Sequence, residues 1–367
     1  MSASMVGGRL SSAQPAARSF FRSRGFRLQF LLLPVILLFL SGTGRGEGEL
    51  RFAALGDFTL ENGQVIKDCR LGYRTFGRLN RERSNAVLFP TWLAGTSEDL
   101  IRTGYVGPGK LADTERYFVI VVDSFGNGVS SSPSREGGQQ GLAFPEFSIR
   151  DMVRAQHLFL TRHLELSGLH AVVGISMGGM QAFQWLCSYP GFAGKAVPIM
   201  ASPRLTAGDL LIMNAELRTI EETRGCPRGD RAAKKILAAV HSYAVRNPGY
   251  YRRTVPPAEL PSLLAGMEKG LAKYNLDDWA WQLKAIMSQN ACLPAAAVPP
   301  GTGGRPTKLF VIVARDDMLV NPEPALTFAG SGGGETMELT GGCGHFAFLC
   351  EGEKIRAAVN AFLNRGD

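Results

Sequence analysis

Five short runs of almost uninterrupted apolar residues set the strongest limit on what this chain can fold into. They are NAVLFPTW (85–92), YFVIVVDS (117–124), HAVVGIS (170–176), KAVPIMA (195–201) and KLFVIVA (308–314). A strand with one wet face alternates apolar and polar residues. A run without that alternation is buried on both faces, as in a parallel sheet covered by helices. The intervening segments carry helical periodicity. In IRDMVRAQHLFLTRHLEL (149–166), positions 149, 152, 153, 160 and 164 form one apolar stripe, and Ser148 with Asp151 makes a capping-box start. A second helix is expected immediately after Ser176 and a last one over 353–363. Such alternation predicts an α/β sheet with right-handed crossovers. The more alternating CRLGYRTFG (69–77) reads as an earlier antiparallel edge strand, and TMELT (336–340) as the final strand.

Between Pro203 and Pro306 the pattern changes to four helical segments (208–223, 230–246, 257–273 and 277–289) with no strand, followed by the linker-like CLPAAAVPPGTGGRP (292–306). The expected organisation is a core in two parts, 47–204 and 301–367, with a helical cap over 205–300 inserted between them. With 367 residues, 45% of them hydrophobic, the chain suffices for one large domain with such an insertion.

GISMGG (174–179) follows one buried run and opens a helical pattern, the context of a G-x-S-x-G nucleophile elbow. The glycines let strand and helix backbones crowd together, and Ser176 is held on a strained corner with its oxygen exposed. A serine needs a base. Of five histidines, His157, His163, His170 and His241 read as solvated or packed. His345, in the glycine loop GGCGHFAFLCE (341–351) after the last predicted strand, is placed to reach Ser176. The loop after KLFVIVA supplies Asp316 and Asp317 as orienting acids, and the residues alone leave both open. The order Ser, Asp, His is that of α/β-hydrolases. The oxyanion donors are expected to be the backbone N–H groups of Met177 and Leu93, the latter with no side-chain signature.

GISMGGMQAFQW (174–185), YFVIVVDSFGNGVSSSPS (117–134) and GHFAFL (344–349) resemble the homoserine O-acetyltransferase family of the α/β-hydrolase fold, from about residue 55 to the end. The resemblance implies an α/β-hydrolase fold, mostly parallel with helices on both faces and an inserted helical cap. It implies a triad of Ser176, Asp317 and His345, with Asp317 preferred because Met318 and Leu319 follow it as x-Leu follows the family's acid. It places TWLAG (91–95) at the oxyanion loop and matches Arg218, in ELRTIEE, to an arginine that binds the substrate carboxylate. Members that acetylate homoserine commonly carry an acid directly after the catalytic histidine, to hold the substrate ammonium. Here that position is Phe346, which removes the charge partner and makes the pocket apolar.

The expected function is therefore serine-dependent acyl transfer through an acyl-enzyme, foremost ester or acyl hydrolysis. The alternatives are homoserine O-acetyltransferase, with acetyl-CoA as co-substrate, and a non-catalytic ligand-binding protein of the same fold. No cofactor or metal is expected, since no CxxC or Cys/His cluster is present. GNG–SSSPS (126–134) lacks the Walker lysine and the G-x-G-x-x-G pattern of a nucleotide site.

Residues 1–46 carry six arginines and no acid, leaving +2 of the net +8 for the rest, without a dense basic patch, so nucleic acid is not an expected partner. The basic start, the uncharged run LQFLLLPVILLFL (28–40) and the small residues that follow have the order of a secretory signal. Export, periplasmic or secreted, is expected. An uncleaved membrane anchor is the alternative, and a homodimer is compatible with the sequence. Six cysteines (69, 187, 226, 292, 343 and 350) allow 15 full pairings. Cys187 reads as a small buried apolar residue, and a Cys226–Cys292 bridge would close the ends of one segment.

Overall fold

The chain was analysed as a computed structural model that describes residues 48–135, 139–291 and 306–366. The N-terminal signal or anchor, Cys292 and most of the expected linker lie outside the described residues.

All five apolar runs are strands. They form β3 (Ala86–Pro90), β6 (Phe118–Val122), β7 (Leu169–Ile175), β8 (Ala193–Ile199) and β9 (Lys308–Ala314). Together with β1 (Arg51–Thr59), β2 (Val65–Phe76) and β10 (Glu335–Leu339) they make one eight-stranded sheet in the order β1-β2-β6-β3-β7-β8-β9-β10. From β6 to β10 every pairing is parallel, whereas β1–β2 and β2–β6 are antiparallel. Two-residue strands β4 (Val106–Gly107) and β5 (Ala112–Asp113) pair separately.

The lack of alternation in those runs has the anticipated cause. Leu88, Ile120, Val172 and Val311 point into one apolar cluster, and their neighbours Val87, Val121, Val173 and Ile312 into a second on the opposite face. Helices α2 (Ile149–Arg162), α3 (Met177–Ser188) and α8 (Glu323–Gly332) cover the first face. Helix α1 (Ser97–Arg102), the short α9 (Ala347–Cys350) and α10 (Gly352–Asn364) cover the second. Ser148 caps α2 through the capping box with Asp151 that its spacing predicts.

The expectation for 69–77 needs correction. This strand is antiparallel, but it is not the edge, because β1 pairs along its outer side. The sequence of β1, RFAALGDFT, is half-exposed and broken by bulges at Gly56, so it lacks a clean period of two.

Four helices lie between β8 and β9: α4 (Ala207–Thr223), α5 (Gly229–Thr254), α6 (Leu260–Leu271) and α7 (Leu276–Met287). Helix α5 is broken at Asn247, whose φ of 62° precedes Pro248, and this break falls where the helical pattern was expected to stop. None of the described helices is long and apolar enough to cross a membrane.

The cysteine expectations are also corrected. Cys343 pairs with Cys350, Cys187 is disulfide-bonded, and Cys226 is free and exposed. Buried Cys69 is free, and desolvation pushes its thiol up to about 12.

Asp278 fastens α7 to the loop after β6, accepting hydrogen bonds from the Ser134 N–H (2.9 Å) and Oγ (2.5 Å). Burial outweighs these bonds and pushes its carboxyl from 3.8 up to about 6. The folded state therefore keeps a proton that the unfolded chain has already released. Stability from this group is complete below about pH 4 and is lost as pH rises through about 6. Asp278→Asn should flatten the stability–pH curve between pH 4 and 7 by on the order of 2 kcal/mol, measured by urea unfolding at fixed ionic strength; an unaltered slope contradicts the assignment.

Candidate active site

Ser176 stands at the turn from β7 into α3 with φ 56° and ψ −124°, a backbone state rarely adopted by a residue with a side chain. The glycines around it are required by contact. A Cβ on Gly174 would lie 2.1 Å from the Gly178 carbonyl oxygen, and one on Gly178 would lie 2.5 Å from that of Pro90. One on Gly179 would lie 2.6 Å from the Ala201 Cβ. Any larger residue would push α3 away from β7 and β3.

The other candidate residues arrive from loops at the carboxyl ends of neighbouring parallel strands, where an open α/β sheet leaves its crevice. Nε2 of His345 lies 2.9 Å from Ser176 Oγ, and its Nδ1 lies 2.7 Å from Asp317 Oδ2. The other oxygen of Asp317 accepts from the N–H groups of Leu319 and Val320, both at 2.9 Å. Both side chains are buried. Asp316, the alternative acid, faces elsewhere. Its Oδ2 accepts from the Gly344 N–H (3.2 Å) and from Asn247 at the α5 break, so it braces the histidine loop without touching the ring.

Among the described residues, neither the Met177 nor the Leu93 N–H takes an acceptor. Their loops are held by two buried amides that the sequence reading did not single out. Gln181 on α3 donates to the Thr91 and Met177 carbonyls (3.3 and 3.2 Å), joining the elbow to the loop after β3. Gln282 on α7 accepts from the Ala94 N–H at 2.6 Å and donates to the Phe125 carbonyl at 2.7 Å. An amide among apolar helix residues, as Gln181 in MQAFQW and Gln282 in WAWQL, is the signal that could have found them. The GNG loop has a related role: Asn127 donates to Asp123 (2.9 Å) and to the Gly95 carbonyl (3.0 Å), supporting the same turn.

Ser176 and His345 open on a cavity of about 390 Å³ walled by Trp92, Leu93, Val245, Met267, Leu271 and Phe348, among others. No described Asp, Glu, Lys or Arg lines it. Phe346 lies on its wall as the sequence implies, with the Arg246 guanidinium 4.9 Å from its ring centre. Arg218 is not brought to the cavity; it lies on the exposed face of α4. The Cys343–Cys350 disulfide closes the loop that carries His345, Phe346 and Phe348.

The family model described as alpha/beta hydrolase fold matches residues 86–351. The chain is 37% identical over 204 residues to the ethyl acetate hydrolase of Pseudomonas veronii, covering 55% of this chain and 58% of that protein. It is 43% identical over 175 residues to the homoserine O-succinyltransferase of Magnetococcus marinus, covering 43% of this chain and 44% of that one. The chain thus spans about half the length of the curated relatives it matches. Among solved structures, the acetyl esterase MekB superposes with a TM-score of 0.78 at 26% identity, over 86% of this chain and 96% of that one. The homoserine O-acetyltransferase of Bacillus anthracis superposes with a TM-score of 0.76 over 86% and 98%, and at 22% identity it speaks for the fold. The chain belongs to the alpha/beta hydrolase fold family.

Proposed function

We propose that this protein is a serine esterase acting on small uncharged esters through an acyl-enzyme. The observation that carries the reading is the Asp317–His345–Ser176 chain of contacts opening on a cavity that no described Asp, Glu, Lys or Arg lines. Ser176 Oγ attacks the ester carbonyl while His345 Nε2 takes its proton. Asp317 holds Nδ1–H and balances the imidazolium. The tetrahedral oxyanion accepts from the Met177 and Leu93 N–H groups, and the positive end of α3 adds to them. The leaving alcohol departs with the proton from His345, and water, activated by the same imidazole, then frees the acid and restores Ser176. In this reading residues 47–204 and 301–367 form the catalytic core and 205–300 the cap that shapes the pocket, and the chemistry calls for no metal or cofactor.

Ser176→Ala should lower kcat on p-nitrophenyl acetate by 10⁴-fold or more and abolish fluorophosphonate labelling. Asp317→Asn should cost on the order of 10⁴-fold, whereas Asp316→Asn should keep activity within about tenfold. Equal losses for the two aspartates would reverse their assignment.

A homoserine O-acyltransferase is the second reading, favoured by the identity to such enzymes. The pocket speaks against it, because homoserine carries an ammonium and a carboxylate and the cavity offers no ionic partner for either. The Arg246 guanidinium, 4.9 Å from the Phe346 ring centre, adds positive charge beside that residue, which does not favour an ammonium. With acetyl-CoA as donor, homoserine should not accelerate thiol release above the hydrolytic background. Acceleration of tenfold or more would establish the transferase.

We also infer export. The disulfide at Cys343–Cys350 and the bonded state of Cys187 support an oxidising compartment. In a bacterial host expressing the full chain, esterase activity should fractionate outside the cytoplasm, and deletion of residues 1–46 should retain it inside.

A further inference from the structure

A second histidine–carboxylate pair faces the same cavity. His241, on α5, lines it, and its Nδ1 lies 2.9 Å from Glu216 Oε1 on α4. Glu216 is buried, with 1% of its side chain exposed, and its other oxygen accepts from the Trp279 Nε1–H of α7 at 3.1 Å. The His241 ring also meets the Trp279 ring edge-on, with centroids 5.1 Å apart. Nε2 of His241 has no partner within the described residues and is not among the buried unpaired atoms, so it is accessible and free to pair with a ligand of the cavity that His241 lines.

This arrangement repeats the one at Asp317 and His345: a carboxylate takes Nδ1 and leaves Nε2 available. Burying a carboxylate is costly unless it is fully paired, and the helical segment that carries His241 lines the cavity with Val245, Met267, Leu271 and Trp279 as well as Ser242 and Tyr274. A hydrophobic residue would pack there without that cost. A buried polar group in such a wall is the informative exception.

We propose that His241, oriented by Glu216, is a specificity residue that hydrogen-bonds a polar group of the substrate lying beyond the reacting carbonyl. The preferred substrates are then esters bearing a hydroxyl on the acyl or alcohol portion, in place of purely hydrocarbon esters. This rests on the esterase reading. A neutral imidazole offers an acceptor at Nε2 and an imidazolium a donor, and a hydroxyl satisfies either. A site built to pair a hydroxyl disfavours the analogue lacking it, because its own polar group is then left unpaired in an apolar wall.

The test uses two pairs of nearly isosteric esters: 3-hydroxypropyl acetate against butyl acetate, and methyl 3-hydroxybutanoate against methyl 3-methylbutanoate. The wild type should prefer the hydroxylated member of at least one pair by about tenfold in kcat/KM. His241→Gln keeps a donor for Glu216 but removes the ring nitrogen. The double variant His241→Phe with Glu216→Leu replaces the pair by apolar volume. Both should bring the ratio to about one, mainly through KM, while kcat/KM for butyl acetate shifts less than about threefold. Turnover without a preference in the wild type, an unaltered ratio in folded variants, or an equal loss on all four esters overturns the proposal. Absence of turnover with every ester, together with no fluorophosphonate labelling of Ser176, overturns the esterase reading and this inference with it.

Discussion

The close approach of β7, α3 and β3 around Ser176 is the constraint on which the rest of the site depends. Gly174, Gly178 and Gly179 have no room for a Cβ, so the backbone of α3 rests directly against strand carbonyls. That contact holds the serine in its positive-φ corner at the start of the helix. Such strain is tolerated because the surroundings over-determine it. The Ser176 N–H donates to the Ile199 carbonyl at 2.8 Å, and its carbonyl accepts from the Met180 N–H at 2.9 Å, so both sides of the corner are pinned.

From that corner a connected set of buried polar groups spreads through the sheet's first face. Gln181 reaches the loop after β3 and also accepts from Gln156 at 2.6 Å, and Gln156 in turn accepts from Trp185 at 2.9 Å. In a low-dielectric interior each member must find a partner, so such a network fixes one arrangement of its loops. The inserted helices join the same scheme. Gln282 fixes Ala94, Asn247 meets Asp316, and Asp209 accepts from the Asn321 N–H at 2.9 Å next to the acid-bearing loop. The segment between β8 and β9 thereby helps to position the residues at the elbow as well as to wall the cavity.

Chemistry and selectivity are divided between these parts. The crevice at the strand ends holds the Ser176, His345 and Asp317 set that the proposed reading makes catalytic. The helical insertion supplies a mostly apolar wall that includes His241, held by the buried Glu216 behind it. An apolar enclosure strengthens the electrostatic interactions of the reacting groups, because little water competes with them. It also leaves no partner for a zwitterionic substrate.

Much of the fold was legible along the chain, because burial on both faces writes itself as continuous apolar runs and covering helices as a period near 3.6. The elbow was legible for a similar reason: only glycine permits that backbone crowding, so the residues around Ser176 had little alternative. Ser176, His345 and the pair Asp316 and Asp317 could be named from their order and loop positions. What the chain could not disclose were contacts between distant residues. Which aspartate meets His345 depends on how one loop turns after β9, since adjacent residues there face opposite ways. Arg218 shares a motif position yet faces outward, because helix rotation follows packing and not the local pattern. The outer strand β1 was hidden by its bulges. The meeting of Glu216 with His241 arises from the packing of α4 against α5, which no local pattern announces. The sequence by itself determined the layers and the reacting groups, because periodicity and glycine are local constraints; only the tertiary structure decided partners and pocket, because those are distances between segments that no local pattern encodes.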